Sequence, residues 1–108
     1  MVKSNYGLSE RTLVTLNSVF KRYSGLKEVI LYGSRAKGNY KNGSDIDIAI
    51  EVNNTFTYKD LARMYGDFED SDIPYTVDIS LYKDLTNQAL KEHIKRVGQT
   101  IYKSRGGV

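Results

Sequence analysis

The chain has 108 residues, of which 40% are hydrophobic and 27% are charged, and its net charge at neutral pH is +3. A chain of this length buries one hydrophobic core, so we expect residues 1–108 to form a single domain. Cysteine is absent, which excludes disulfides and thiolate metal sites. No segment has the about 20 apolar residues of a membrane span or the apolar run of a signal peptide, so the sequence predicts a cytoplasmic protein without membrane contact.

Charge is distributed unevenly along the chain. Residues 1–44 contain eight basic residues (Lys or Arg) and two acidic ones. Residues 45–84 contain three basic and ten acidic residues, and residues 85–108 contain five basic and one acidic. The acidic middle argues against a uniform basic face, so a nucleic-acid substrate is not expected. Acids beside a basic segment suit a metal–triphosphate site, although ordinary solvated charge explains most of these residues.

The predicted elements alternate between helices and strands. Ser9 is an N-cap candidate for a first helix that stops near Gly25, and the apolar run at 28–32 predicts a strand buried on both faces. A short helix follows Gly33. Strict alternation of apolar and polar residues over 44–52 then predicts a second strand.

The second half of the chain continues this alternation. Thr57 begins a further helix with a capping-box pattern, and a third strand is predicted over 75–81. Four apolar residues at helical spacing predict a last helix that ends at Gly106 and Gly107. These four residues are Leu90, Ile94, Val97 and Ile101. The order of elements predicts an α/β (α+β) fold in which a small mixed β-sheet packs against helices.

Carboxylates on two of the predicted strands are candidates for a metal site. Asp45 and Asp47 project from one strand face, with Cα atoms about 6.5–7 Å apart. Neighbouring acids repel one another and need water or a cation in front of them. Two Mg²⁺ ions serve in-line phosphoryl transfer, and a few carboxylates with phosphate oxygens suffice to hold them. Asp78 completes a triad of carboxylates if its strand is adjacent to the strand of Asp45 and Asp47. Considered alone, Asp78 fits an ordinary solvent-facing acid equally well.

A glycine-rich turn precedes these acids, with the sequence Gly33-Ser34-Arg35-Ala36-Lys37-Gly38. A glycine after a buried strand lets a ligand approach the backbone, and the Ser34 hydroxyl can donate to a phosphate. Most such turns simply connect two elements. Here, however, ten residues separate Ser34 from Asp45, and Asp47 follows after one more.

This combination of Gly-Ser, a spacer of ten residues and Asp-x-Asp resembles the signature of the polymerase-beta nucleotidyltransferase superfamily. Residues 33–38 and 44–50, and Val77-Asp78-Ile79, are similar to its smallest members, the minimal nucleotidyltransferases. The resemblance spans residues 26 to about 102 and no motif position departs from it. It implies the polymerase-beta-like fold.

The resemblance also implies a role for each motif residue. Gly33 and Ser34 would hold the triphosphate of ATP, and Arg35 and Lys37 are positioned to touch its phosphates. Asp45 and Asp47 would bind two Mg²⁺ or Mn²⁺ ions. Asp78 would complete the metal site and help to activate the attacking hydroxyl.

The activity implied by the resemblance is metal-dependent transfer of a nucleoside monophosphate, most simply AMP, to a hydroxyl. Small stand-alone members are commonly paired with a helical HEPN-type protein, and some are antitoxins that modify this toxin with AMP. We therefore expect a HEPN-type partner as acceptor, with self-association left open. The alternatives are a non-catalytic nucleotide- or partner-binding module of the same fold and a drug-modifying enzyme, which usually needs a larger chain.

His93 is the only histidine of the chain. Because neither a second histidine nor a cysteine accompanies it, the sequence predicts a surface residue rather than a metal ligand.

Overall fold

Four strands and four helices make up the computed structural model, which describes residues 5–104. In chain order they are α1 (Glu10–Phe20), β1 (Leu26–Tyr32), α2 (Gly33–Lys37), β2 (Ile46–Val52), α3 (Tyr58–Glu69), β3 (Val77–Leu81), α4 (Gln88–Val97) and β4 (Gln99–Lys103). One sheet contains all four strands in the order β3-β2-β1-β4, with β2 parallel to β3 and β1 antiparallel to β2 and β4. The predicted α+β class with a small mixed sheet is confirmed.

Two helix starts follow the local capping rules that the sequence indicated. The Ser9 hydroxyl accepts the Thr12 N–H at 3.0 Å at the beginning of α1. At the beginning of α3, the Thr57 hydroxyl accepts the Asp60 N–H while the Asp60 carboxylate accepts the Thr57 N–H. These side chains bind backbone donors that lack a partner within the helix, so they fix where each helix begins.

The two faces of the sheet are covered unequally. The hydrophobic core lies on one face, where α1 and α3 pack their apolar stripes against all of the aliphatic residues that β2 and β3 turn inward. The other face carries α4 and the short turn before it, where a small cluster joins the buried Ile94 to Tyr32 and Ala49, with Tyr82 and Leu85 packed against it. The second face therefore has room beside α4 for polar side chains.

The last predicted helix is wrong in its second half. The helix ends at Val97, and residues 99–103 form β4, which pairs antiparallel with β1. Gly98 makes the reversal possible, because a Cβ there would collide with the Ile94 carbonyl oxygen and the Ile30 side chain. The predicted end of the helix at Gly106 and Gly107 lies outside the described residues.

Two strands begin two residues later than predicted, at Ile46 and at Val77. Asp45 consequently lies immediately before β2 rather than on it.

Among residues 5–104, no helix is both long enough and apolar enough to cross a bilayer.

Candidate active site

Three polar side chains stand in a row across the sheet on the face that carries α4. Asp47 on β2 is in register with Tyr32 on β1 and with Asp78 on β3. Residues opposite one another on adjacent strands point to the same face, and adjacent strands are about 4.8 Å apart. The strand pairing therefore places the Asp47 and Asp78 carboxylates side by side, as the sequence predicted on the condition that their strands are neighbours.

Asp45 stands beside this row. It is exposed, while Asp47 is half-buried and Asp78 is exposed. Within the described part of the chain, no three Asp, Glu, His or Cys side chains converge into a preassembled metal-binding group. The three acids named from the sequence are thus neighbours that do not by themselves form a closed set of metal ligands.

Electrostatic repulsion is built into this arrangement. Burial raises the pKa of the Asp47 carboxyl, and the negative charges of Asp78 and Asp45 raise it further. None of the three ion pairs formed among residues 5–104 involves any of these acids. The site consequently concentrates negative charge next to an open part of the sheet without a basic side chain paired to it.

The turn that follows β1 comes close to these acids. Gly33 has φ +76°, in the left-handed region, and a Cβ at this position would lie 2.5 Å from the Asp47 Oδ2 atom. Glycine is therefore required here both for its backbone conformation and for the approach to Asp47. The half-buried Ser34 follows at the same edge, and Lys37 is exposed at the end of α2.

Arg35 faces the protein interior, with 2% of its surface exposed. Its Nε and Nη2 atoms donate to the Ser44 carbonyl at 3.1 and 2.8 Å, and its Nη1 donates to the Tyr6 carbonyl at 2.9 Å. The guanidinium also lies 4.4 Å from the centre of the Tyr75 ring and 5.3 Å from that of Tyr40. Arg35 thus joins α2 to the residue before Asp45, a position different from the phosphate contact that the sequence suggested.

Two residues of this site were not identified from the sequence. Tyr32 is buried, which raises the pKa of its phenol, and the charges of Asp47 and Asp78 act in the same direction. His93 was predicted to be a surface residue but is half-buried, and its Nε2 atom accepts the Gly33 N–H at 3.3 Å. Periodicity could have placed His93 on a helix but not against the turn, because that contact depends on how α4 packs.

Comparison with solved structures shows where this fold occurs. A toxin–antitoxin with AMP-PNP is 18% identical over 86% of this chain and 74% of that chain, with a TM-score of 0.69. A tri-AMPylated Shewanella oneidensis HEPN toxin in complex with its MNT antitoxin is 14% identical over 91% and 75%, with a TM-score of 0.56. A Sulfolobus solfataricus protein described as a nucleotidyltransferase is 22% identical over 94% and 95%, with a TM-score of 0.54. These likenesses establish a shared fold.

Sequence comparison assigns the family. No curated protein matches the chain at a significant level of similarity. The family model for polymerase beta nucleotidyltransferases, however, matches residues 15–105, which include the turn after β1, all three acids and His93. The chain therefore belongs to the polymerase-beta nucleotidyltransferase family, as its motif spacing and its sheet both indicate.

Proposed function

We propose that this protein is an adenylyltransferase that uses Mg²⁺ or Mn²⁺ to transfer AMP from ATP to a hydroxyl group of a helical HEPN-type partner protein in the cytoplasm. The observation that carries this proposal is the register of Asp47 with Asp78 beside the Gly33 turn. Family membership supports nucleotidyl transfer in general; the metal, the nucleotide and the acceptor are the proposed parts.

The chemistry of the site fits a divalent cation. The available ligands are carboxylate oxygens, which Mg²⁺ prefers, and Mg²⁺ is commonly bound by one or two carboxylates together with substrate phosphates rather than by a closed protein cage. Burial and, after it, the negative charges of Asp78 and Asp45 raise the pKa of Asp47, and a cation at this position would offset the repulsion among the three acids. Asp45 and Asp47 would hold two such ions, with Asp78 beside them. When bound, the ions would supply charge stabilisation for the phosphates.

The residues of the chain have separate tasks in this proposal. Gly33 and Ser34 bind the triphosphate, and the exposed Lys37 is free to approach it. A bond forms between the acceptor oxygen and the α-phosphorus, the bond from the α-phosphorus to the bridging oxygen breaks, and pyrophosphate leaves. Asp78 accepts the proton of the attacking hydroxyl, a role that suits an exposed carboxylate at the open edge of the site.

The choice of acceptor follows from how open the site is. Asp45 and Asp78 are exposed, and α4 covers only the part of the sheet next to Tyr32 and Ala49. An open edge suits a side chain that protrudes from another protein. Two proteins of the same fold were crystallised in a toxin–antitoxin context, one with AMP-PNP and one with a tri-AMPylated HEPN toxin. A second copy of the chain is a further candidate partner, and nucleic acid is not proposed as a substrate.

A non-catalytic binding module is the alternative. The observation in its favour is that no preassembled three-ligand metal group exists among residues 5–104. A catalyst and a binding module differ in what Asp78 does, because proton transfer matters most as the acceptor oxygen attacks.

Labelled ATP provides the test of the proposed activity. Purified protein is incubated with Mg²⁺ and α-labelled ATP, with and without a HEPN-type protein encoded beside it. We expect label on the partner and almost none without it. Asp78→Asn should lower the rate of transfer by about a hundredfold or more while leaving the affinity for MgATP, measured by calorimetry, nearly unchanged.

Three outcomes would contradict parts of this proposal. Rate and affinity that fall together would make Asp78 chiefly a metal ligand. ATP binding without any label transfer by the wild-type protein would favour the binding module. Rapid modification of a small hydroxylated compound by the isolated protein would instead point to a drug-modifying enzyme.

Ser34→Ala tests the phosphate contact. Among residues 5–104 the Ser34 hydroxyl has no hydrogen-bond partner, so its loss should not disturb the fold. Affinity for ATP should fall by about 1–3 kcal/mol, the usual loss for a hydrogen bond to a charged group, and affinity for AMP should fall less because AMP lacks the β- and γ-phosphates. Calorimetric titration measures both. Equal losses for ATP and AMP would make Ser34 a structural residue.

A further inference from the structure

His93 lies against the turn that we assign to the triphosphate. Its Nε2 atom accepts the Gly33 N–H at 3.3 Å, and its ring stands edge-on to the Tyr32 ring, with 6.1 Å between centroids and 83° between planes. Tyr32 and Gly33 are consecutive residues, so the imidazole contacts the N–H of the peptide that joins them and the side chain of the residue before it. A planar peptide that is held at its N–H has its carbonyl direction fixed as well.

The imidazole itself is held in place from α4. Asn87 caps this helix by accepting the Leu90 N–H at 3.0 Å, and the next turn buries Ile94 against Tyr32 and Ala49. Because Ile94 directly follows His93, burial of the first sets the position of the second. The His93 ring therefore connects α4, whose position is set by its cap and by Ile94, to the backbone of the turn at Gly33.

The turn has no side chain at Gly33 that could fix its own conformation. Gly33 is in the left-handed region, and its Cα lies so close to Asp47 that no side chain would fit. Many backbone conformations are open to glycine, so an external contact is needed to select one. The Gly33 peptide leads directly into Ser34.

We propose that His93 is a positioning residue of the nucleotide site, which holds the Tyr32–Gly33 peptide so that the turn presents Ser34 to the triphosphate. The neutral imidazole with an unprotonated Nε2 performs this role, because only that tautomer accepts the Gly33 N–H at this atom. The inference rests on the proposed function of the turn.

Two polar substitutions of different length separate positioning from packing. In His93→Gln the side-chain oxygen reaches about as far as Nε2 and can accept the Gly33 N–H, whereas in His93→Asn the oxygen is too short to reach it. We expect His93→Asn to weaken MgATP binding by about five- to tenfold, the value of one hydrogen bond, and His93→Gln to retain most of the affinity. Calorimetry measures affinity, and thermal melting monitors the fold.

The contact is also visible without nucleotide. Because His93 is the only histidine, its imidazole ¹⁵N signals in mildly alkaline buffer report one tautomer without assignment. We expect an unprotonated Nε2 and a Gly33 amide proton that shifts in His93→Asn but not in His93→Gln. A protonated Nε2, or equal MgATP affinity in the wild type and both variants, overturns the proposal. Failure of the wild type to bind MgATP, with the expected NMR result, would contradict the proposed function of the turn instead.

Discussion

Asp47→Asn should greatly slow nucleotidyl transfer and, in the absence of metal, make the protein more stable. If Asp47 holds the metal as we propose, its loss removes several kcal/mol of transition-state stabilisation, so we expect the rate of label transfer to fall by about a thousandfold. The gain in stability follows from the position of Asp47, which is half-buried near Asp45 and Asp78 and forms no ion pair with a basic side chain of residues 5–104. Asparagine has nearly the same shape and carries no charge.

The sign of the effect on stability depends on pH. The folded protein raises the pKa of Asp47 above the ordinary value of 3.8, so the folded state binds this proton more tightly than the unfolded chain does. Stability of the wild type therefore falls as pH rises through the interval between the ordinary and the raised pKa, and the loss is complete above it. Asparagine avoids that loss, so the advantage of the variant should be present near neutral pH and absent in acid.

Thermal denaturation in EDTA at about pH 7 and about pH 4 measures this advantage. Glu92→Gln is a matched control, because Glu92 is an exposed acid on α4 and its substitution removes one charge without relieving crowding. Saturating MgATP should reverse the order of melting temperatures, since only the wild type gains from the bound metal. If Asp47→Asn melts below the wild type in EDTA at neutral pH, the three acids do not repel one another as we describe.

Local sequence signals predicted the parts of this fold that depend on neighbouring residues. Ser9 and Thr57 mark helix starts through contacts three residues away, which are present in the sequence itself. The Gly33 turn, Asp45 and Asp47 were identified because their chemistry depends on spacing along the chain. The adjacency of Asp47 and Asp78 needed one further fact, that β2 and β3 are neighbours.

The C-terminal strand shows where periodicity fails. Ile94, Val97 and Ile101 fit a helical stripe, yet Thr100, Ile101 and Tyr102 are also good strand residues. The outcome depends on β1, whose second edge offers unpaired backbone groups that β4 satisfies. An eight-residue stretch cannot show that a distant strand has a free edge.

The positions of Arg35 and His93 in the site could not be predicted from the sequence, for a physical reason. A basic residue in a glycine-rich turn is equally compatible with a phosphate, with solvent or with the interior. Arg35 is in the interior because Ser44 and Tyr6 supply carbonyl oxygens and Tyr40 and Tyr75 supply ring faces, and these come from three different segments. The contact of His93 with the turn was missed for the same reason, because its partner Gly33 is 60 residues away along the chain.

Arg35→Met should destabilise the protein by about 3–5 kcal/mol, because it removes the three hydrogen bonds that the buried guanidinium donates to the Ser44 and Tyr6 carbonyls, together with its contacts to two aromatic rings. Small domains are typically stable by about 5–15 kcal/mol, so the variant should be close to unfolding at 37 °C. Chemical denaturation without nucleotide measures the loss.

Two further variants distinguish this role from phosphate binding. Arg35→Lys keeps the charge but cannot donate two bonds to one carbonyl while contacting two rings, so it should recover only part of the stability. Lys37→Met removes an exposed basic residue from the same helix and should leave stability within about 0.5 kcal/mol of the wild type. It should instead weaken ATP binding if Lys37 approaches the triphosphate.

An Arg35→Met protein that is as stable as the wild type but has lost its affinity for ATP would show that Arg35 leaves the interior to contact phosphate. Full stability would also mean that the link from α2 to the residue before Asp45 contributes nothing to the fold.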